Sequence, residues 1–160
     1  MPRSQQARIG AAGWDVRDSE RKQVMALKAL IEAATAARQQ AYVPYSNFAV
    51  GAALLTQTGQ IVTGCNIENA SYGLTTCAER TVLFKAVSEG ERDFRALAVV
   101  GNTLGPITPC GACRQVMAEL CPPELTVYLA NLAGKTLETT VKELLPYVFD
   151  QEALYGKRER

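Results

Sequence analysis

The sequence predicts an α/β fold, a three-layer α-β-α sandwich around a mixed, roughly five-stranded sheet. Three observations lead there. Apolar runs of strand length alternate with amphipathic stretches of helix length after an opening hairpin. Proline and glycine fall between these segments and rarely inside them. The composition, 48% hydrophobic and 21% charged over 160 residues, is that of one globular domain large enough to bury a core.

Residues 1–18 mix Pro2, Gly10, Gly13 and scattered charges without a period, so they are expected to form a mobile extension before a single domain spanning 19–160. Ser19 is the expected cap of a first helix. Val24, Leu27, Ile31 and Ala34 recur at helical spacing to about Gln40, and Pro44 stops the run. Phe48 to Thr56 reads as a central strand, Gln57 to Gln60 as a turn, and Ile61 to Ile67 as the hairpin partner.

A second helix fits Cys77 to Ser88, with Gly90 closing it. Arg95 to Gly101 is a buried-looking strand. Pro109 and Cys110 open a third helix that Pro122 and Pro123 end. Leu125 to Ala130 is another strand, Asn131 to Gly134 a turn, Lys135 to Thr139 a short edge strand, and Val141 to Leu145 a last helical turn. No internal repeat or low-complexity tract interrupts this order.

Charge and composition exclude several functions. Seventeen basic against sixteen acidic side chains give a net charge of +1, no electrostatic footprint for a long polyanion, so nucleic acid is not an expected partner. No stretch approaches the ~20 apolar residues a membrane span needs, and Met1 to Asp18 lacks the apolar run of a secretory signal. The chain is expected to be cytoplasmic, with its five cysteines reduced. It contains no histidine, which rules out a Ser-His-Asp triad, a Cys-His pair and every histidine-containing metal site.

Chemistry must then rest on other groups, and three cysteines stand out. Cys110 and Cys113 form a PCxxC at the mouth of the third helix, and Cys77 stands at the mouth of the second. Residues three apart share a helical face. Helix N-termini also favour the metal-binding thiolate. By itself a CxxC reads equally as a redox pair, half of a structural zinc site, or helix packing. A four-thiolate site would need Cys65, in a predicted strand, or Cys121, at the far end of the third helix; both are expected to be packing thiols. Three protein ligands leave the fourth tetrahedral position open, as a catalytic zinc requires.

Two neighbours of Cys77 fit such a centre. Glu79 is two residues on, and both side chains reach one point only if Cys77 starts the helix; otherwise Glu79 is a surface carboxylate at a helix N-terminus. Arg80, three residues on, faces the same side as Cys77. Three thiolates on a dication leave a net −1, which a guanidinium bonded to sulfur would partly offset; otherwise it is a solvated helix arginine.

Thr76 to Arg80 (TCAER) followed by Pro109 to Gln115 (PCGACRQ) resembles the zinc signature of the small, homotetrameric, three-cysteine cytidine deaminases. The resemblance extends through Tyr42–Leu55, Gly64–Gly73, Phe84–Gly90 and Glu143–Phe149, from about Ser19 to Leu154. It implies one Zn²⁺ per subunit on Cys77, Cys110 and Cys113, with Glu79 as the catalytic proton carrier. It also implies substrate contacts. Asn66 and Glu68 would bind the ribose, Phe48 would pack on the pyrimidine, and the Ala78 N–H would meet the base carbonyl. Tyr72 and Phe149 would close pockets shared between subunits of a homotetramer. The implied reaction is hydrolytic deamination of cytidine and deoxycytidine, small-molecule nucleosides, to uridine and deoxyuridine with release of ammonia. Blasticidin-S deaminases share CAE and PCxxC but differ where the sugar binds. Polynucleotide-editing deaminases, a binding module built on structural zinc and a redox role for Cys110 and Cys113 are the remaining alternatives.

Overall fold

The computed structural model describes residues 16–156. The extension expected over residues 1–18 falls outside this range as far as residue 15, as does the tail from Lys157. Helix α1 spans Val16–Arg38 and so begins before Ser19; no proline or glycine lies between Val16 and Arg38 to stop it earlier. Strands β1 (Val50–Thr56) and β2 (Ile61–Cys65) form the expected hairpin, turned at Gly59 with φ +90°. Helix α2 (Ala78–Ser88) leads to β3 (Phe94–Gly101), and α3 (Gly111–Leu120) leads to β4 (Thr126–Asn131). Strand β5 (Thr136–Thr140) and the short helices α4 (Val141–Leu144) and α5 (Gln151–Tyr155) complete the chain.

The sheet has five strands in the order β2-β1-β3-β4-β5. Strand β1 runs antiparallel to both β2 and β3, β3 and β4 are parallel, and β5 is antiparallel to β4. Strands β2 and β3 therefore point the same way. Helix α2 is the crossover from β2 to β3, and α3 the crossover from β3 to β4. Both helices start beyond the same end of the sheet, the place where open α/β sheets hold their ligands.

Side chains alternate along the strands, and the two faces differ in size. Val50, Ala52, Leu54, Leu97, Val99, Val127 and Leu129 pack on one side with Val82 and Leu83 of α2 and Met117 of α3. Ala53, Ala96, Ala98, Val100, Tyr128 and Ala130 face Leu30 and Ala34 of α1. This mostly alanine face lets α1 lie close. A Cβ added to Gly51 would stand 2.0 Å from the Ala34 carbonyl oxygen and 2.5 Å from the Arg38 nitrogen, so the contact exists only because position 51 has no side chain. Both faces are covered, giving the expected three layers.

Two local expectations are corrected. Val24 was expected on the core face of α1, but it is 65% exposed; packing begins one turn later at Leu27, and the fully buried residues are the expected Ala34 and the unanticipated Leu30. Strand β2 ends at Cys65 rather than Ile67, because its partner β1 begins only at Val50. Residues 66–68 stay extended, held by bridges from Ile67 to Tyr42 and Thr76. Gly90 ends α2 as expected: at φ +95° it donates to the Val87 carbonyl while Glu91 N–H reaches Ala86, the Schellman pattern. Among the described residues no helix is long and apolar enough to cross a membrane.

Candidate metal centre and active site

Cys77 and Cys110 are the N-cap residues of α2 and α3, each with extended backbone and no side-chain capping hydrogen bond. Their sulfurs lie 3.9 Å apart, and the Cys110 and Cys113 sulfurs 3.5 Å apart. All three ligand atoms fall within 4.8 Å of one another. Zinc–sulfur bonds of ~2.3 Å at tetrahedral angles span sulfurs about 3.8 Å apart, so the donor set fits zinc in both chemistry and size. Cys65 and Cys121 stand apart from this cluster as free thiols. Burial pushes the Cys121 thiol up to about 12 and raises that of Cys65, as expected of packing cysteines.

Within the cluster the hydrogen bonds favour thiolate at Cys77. The Cys113 thiol donates to the Cys77 sulfur, and Arg80 and Cys110 add hydrogen bonds, so Cys77 falls to about 5 while Cys113 is raised. Arg80 Nη2 donates to the Cys77 sulfur at 3.5 Å and to the Thr75 carbonyl at 3.1 Å. Arg80 Nε is buried without a hydrogen-bond partner among the described residues.

Glu79 sits in the first turn of α2 and is 4% exposed. Burial pushes its carboxyl up to about 7, with the Cys77 charge adding to the rise; its own backbone N–H, the Cys113 thiol and Arg80 oppose it. Because Cys77 is the cap and not a helical residue, the two-residue spacing no longer sends the side chains apart. The structure thus brings Cys77, Cys110, Cys113, Glu79 and Arg80 together at the meeting of two helix starts. Ala78, fully buried, holds the first helical position of α2, where a backbone N–H has no intrahelical acceptor.

The other residues singled out from the sequence lie outside the strands and α-helices, Tyr72 in a short 3-10 turn over Tyr72–Leu74. Asn66 and Glu68 follow β2, and both side chains turn to the segment ahead of β1. Asn66 Nδ2 donates to the Phe48 carbonyl at 2.8 Å, and its Oδ1 accepts from Val50 N–H at 2.8 Å. Glu68 accepts from the Tyr45 and Ser46 N–H groups and from the Ser46 hydroxyl; that hydroxyl is the main influence holding its carboxyl below the usual range. An open cleft of about 360 Å³ is lined by Tyr45, Ser46, Glu68, Tyr72 and Thr75. The Tyr45 and Tyr72 rings meet edge to face at 6.1 Å. Phe48 is 40%, Tyr72 76% and Phe149 61% exposed. A larger groove, about 810 Å³, runs between the end of α3 and residues 140–148, and none of the three thiols or Glu79 lines it.

Sequence reasoning missed three residues that brace this region. Ser46 lies in a cluster of turn-forming residues after Pro44, a signal that a structured loop was there. Arg114 donates to the Pro109 carbonyl at 2.9 Å and to Leu144 at 3.0 Å, and Gln115 donates to the Phe149 carbonyl at 2.7 Å. The metal-ligand helix therefore grips both ends of the segment that carries Phe149. No local pattern marks these long-range bonds.

Comparison with known proteins agrees with this geometry. Residues 25–129 match the family model described as the cytidine and deoxycytidylate deaminase zinc-binding region. A cytidine deaminase of Halalkalibacterium halodurans is 64% identical over 123 residues, covering 77% of this chain and 93% of that protein. The crystal structure of cytidine deaminase from Burkholderia pseudomallei is 60% identical, covers 76% of this chain and 98% of that one, and superposes with a TM-score of 0.75. A blasticidin-S deaminase of Bacillus cereus stands further off, 33% identical over 105 residues, with 61% of this chain and 74% of that protein covered. The chain belongs to the cytidine and deoxycytidylate deaminase family.

Proposed function

We propose that this protein is a zinc-dependent cytidine deaminase, converting cytidine and deoxycytidine to uridine and deoxyuridine with release of ammonia. The observation that carries this reading is the buried Glu79 carboxyl, raised to about 7, beside three clustered thiols. Cys77, Cys110 and Cys113 would hold the zinc, which when present would supply the Lewis acidity that lowers the pKa of water toward ~7. Glu79 accepts the proton that water gives up and delivers it to N3 of the pyrimidine, which makes C4 electrophilic. After the water oxygen attacks C4, Glu79 takes the remaining proton from the new C4 hydroxyl and passes it to the 4-amino group; the C4–N bond breaks, ammonia leaves and C4 becomes a carbonyl. A carboxyl poised near neutrality gains and loses a proton at little cost in both directions. Arg80 draws charge from the Cys77 thiolate and so preserves the acidity of the metal.

Asn66 and Glu68 are assigned to the sugar, Phe48 to the pyrimidine face and the Ala78 N–H to the base carbonyl. Tyr72 and Phe149 are assigned to pockets shared in a homotetramer. Their exposure supports this, since large aromatics left open on one chain are candidates for burial by another. The protein is assigned to the cytoplasm, where reduced thiols persist.

The test is zinc analysis with an ultraviolet assay of cytidine, blasticidin S and a single-stranded oligonucleotide, before and after chelation. Cytidine turned over fastest, with about one zinc per chain and activity lost on chelation, is the expected result. Faster turnover of blasticidin S or the oligonucleotide overturns the substrate assignment. Full zinc with no deamination leaves the structural-zinc binding module instead.

A further inference from the structure

Phe48 has its backbone held at both ends by side chains. Its N–H donates to the Ser46 hydroxyl at 3.0 Å, and its carbonyl accepts from Asn66 Nδ2 at 2.8 Å. Between Ser46 and Phe48 the chain turns at Asn47, whose φ is +55°, a conformation that asparagine tolerates better than most residues. The Ser46 hydroxyl, while accepting from Phe48, donates to Glu68 Oε1. Glu68 Oε2 accepts from Tyr45 N–H at 2.9 Å and Ser46 N–H at 3.2 Å. An ionised carboxylate has about four acceptor sites, and three are engaged with Tyr45 and Ser46. The free site is the one left for a ligand hydroxyl.

We propose that Ser46 is a positioning residue that seats Phe48 against the pyrimidine and joins it to Glu68, so that sugar and base recognition form one hydrogen-bonded unit. This rests on the assignment of Glu68 to the sugar and Phe48 to the base. A serine hydroxyl is suited to the task because it donates and accepts at once. Alanine breaks both links, whereas threonine keeps them. Ser46 lies ahead of β1 and Glu68 beyond β2, with Asn66 spanning the gap between these segments, so the unit closes the open end of the hairpin. Its consequence is that Glu68 influences the base without touching it, through two hydrogen bonds in series.

The test is a double-mutant cycle in the zinc-loaded full chain with cytidine as substrate. Ser46→Ala is expected to raise KM about tenfold, the scale of one or two lost hydrogen bonds, with kcat changed by less than about threefold. In a Phe48→Ala background the same substitution is expected to raise KM by less than about threefold, because there is no ring left to seat. Ser46→Thr is expected to restore most of the lost affinity, and Ser46→Cys, a weaker donor, to fall between. A loop tether with no part in recognition lowers Tm without moving KM, and that outcome overturns the proposal. So does an equal KM penalty in both backgrounds. If Ser46→Ala does not fold, Ser46→Cys and Ser46→Thr carry the comparison, and indistinguishable KM values between them count against the proposal. A wild-type protein with full zinc and no turnover of cytidine overturns the deaminase reading and the proposal with it. An active wild type with an unaffected Ser46→Ala variant overturns the positioning role alone.

Discussion

The Arg80 guanidinium donates to the Cys77 sulfur at 3.5 Å while the same nitrogen is fixed by the Thr75 carbonyl at 3.1 Å. The positive charge is thereby aimed at a metal-ligand atom instead of at solvent. Arg80→Ala leaves the thiolate charge undiminished. Some zinc is expected to remain bound, and kcat is expected to fall about 10- to 100-fold. Zinc stoichiometry measured beside kcat checks this, and a wild-type kcat at full zinc would assign the guanidinium another task.

Substitution of Glu79 tests the proposed proton carrier separately from metal binding. Glu79→Gln preserves shape and is expected to keep the fold and the zinc while lowering kcat by about 10² to 10⁴, the usual weight of a positioned proton carrier. Circular dichroism, metal analysis and the ultraviolet assay together decide it. Retained activity in a zinc-loaded Glu79→Gln protein refutes the proton-carrier role.

The raised Glu79 pKa also makes stability depend on pH in the metal-free protein. The folded state holds this proton more tightly than the unfolded chain, whose value is near the ordinary 4.5. The stability tied to it is complete below about 4.5 and is lost as pH rises to about 7. The span corresponds to about 3 kcal/mol. Cys77, depressed to about 5, works in the opposite direction, so the informative quantity is the difference between wild type and Glu79→Gln. Thermal melts of both metal-free proteins are expected to diverge from pH 5 to 7, with the glutamine variant the more stable at the upper end. A constant difference across that range would show that burial does not hold the proton.

The closeness of α1 to the sheet gives a prediction remote from the chemistry. Gly51→Ala places a Cβ against α1 backbone, where no rotamer can relieve the clash. A loss of about 3 kcal/mol or more is expected. Gly105, with nothing within 4 Å of an added Cβ, is the control: Gly105→Ala is expected to change stability by less than about 0.5 kcal/mol. Equal melting temperatures for the two variants would mean that α1 shifts freely.

What could be read from the sequence was local. Pro44, Gly90 and the Pro122–Pro123 pair act through their own backbone geometry, so the ends of α1, α2 and α3 fell near where they were expected. Glu79 was legible for a similar reason, since the position of Cys77 at a helix mouth decides where a residue two further on can point. The end of β2 was not legible. It depends on where β1 begins, which is a matter of pairing register. The contact between Ser46 and Glu68 joins residues 22 apart on segments without regular structure, and no period records it. Helix α5 had a local signal that went unread: Asp150 caps it by accepting from Ala153 N–H at 2.8 Å, with Glu152 in the first turn.

Cysteine at both helix caps has a mechanical consequence. Helices usually open on a serine or aspartate oxygen that ties down the first exposed amides, and neither α2 nor α3 has that fastening. A cation held by both opening residues, Cys77 and Cys110, would be the rivet that replaces it. Losing the ion would slacken both first turns together, including the one on which Glu79 rides. Emptying the centre would therefore unseat the acid as well as remove the electrophile, and recovery on adding zinc back would follow the rewinding of two helix ends as well as the binding of metal.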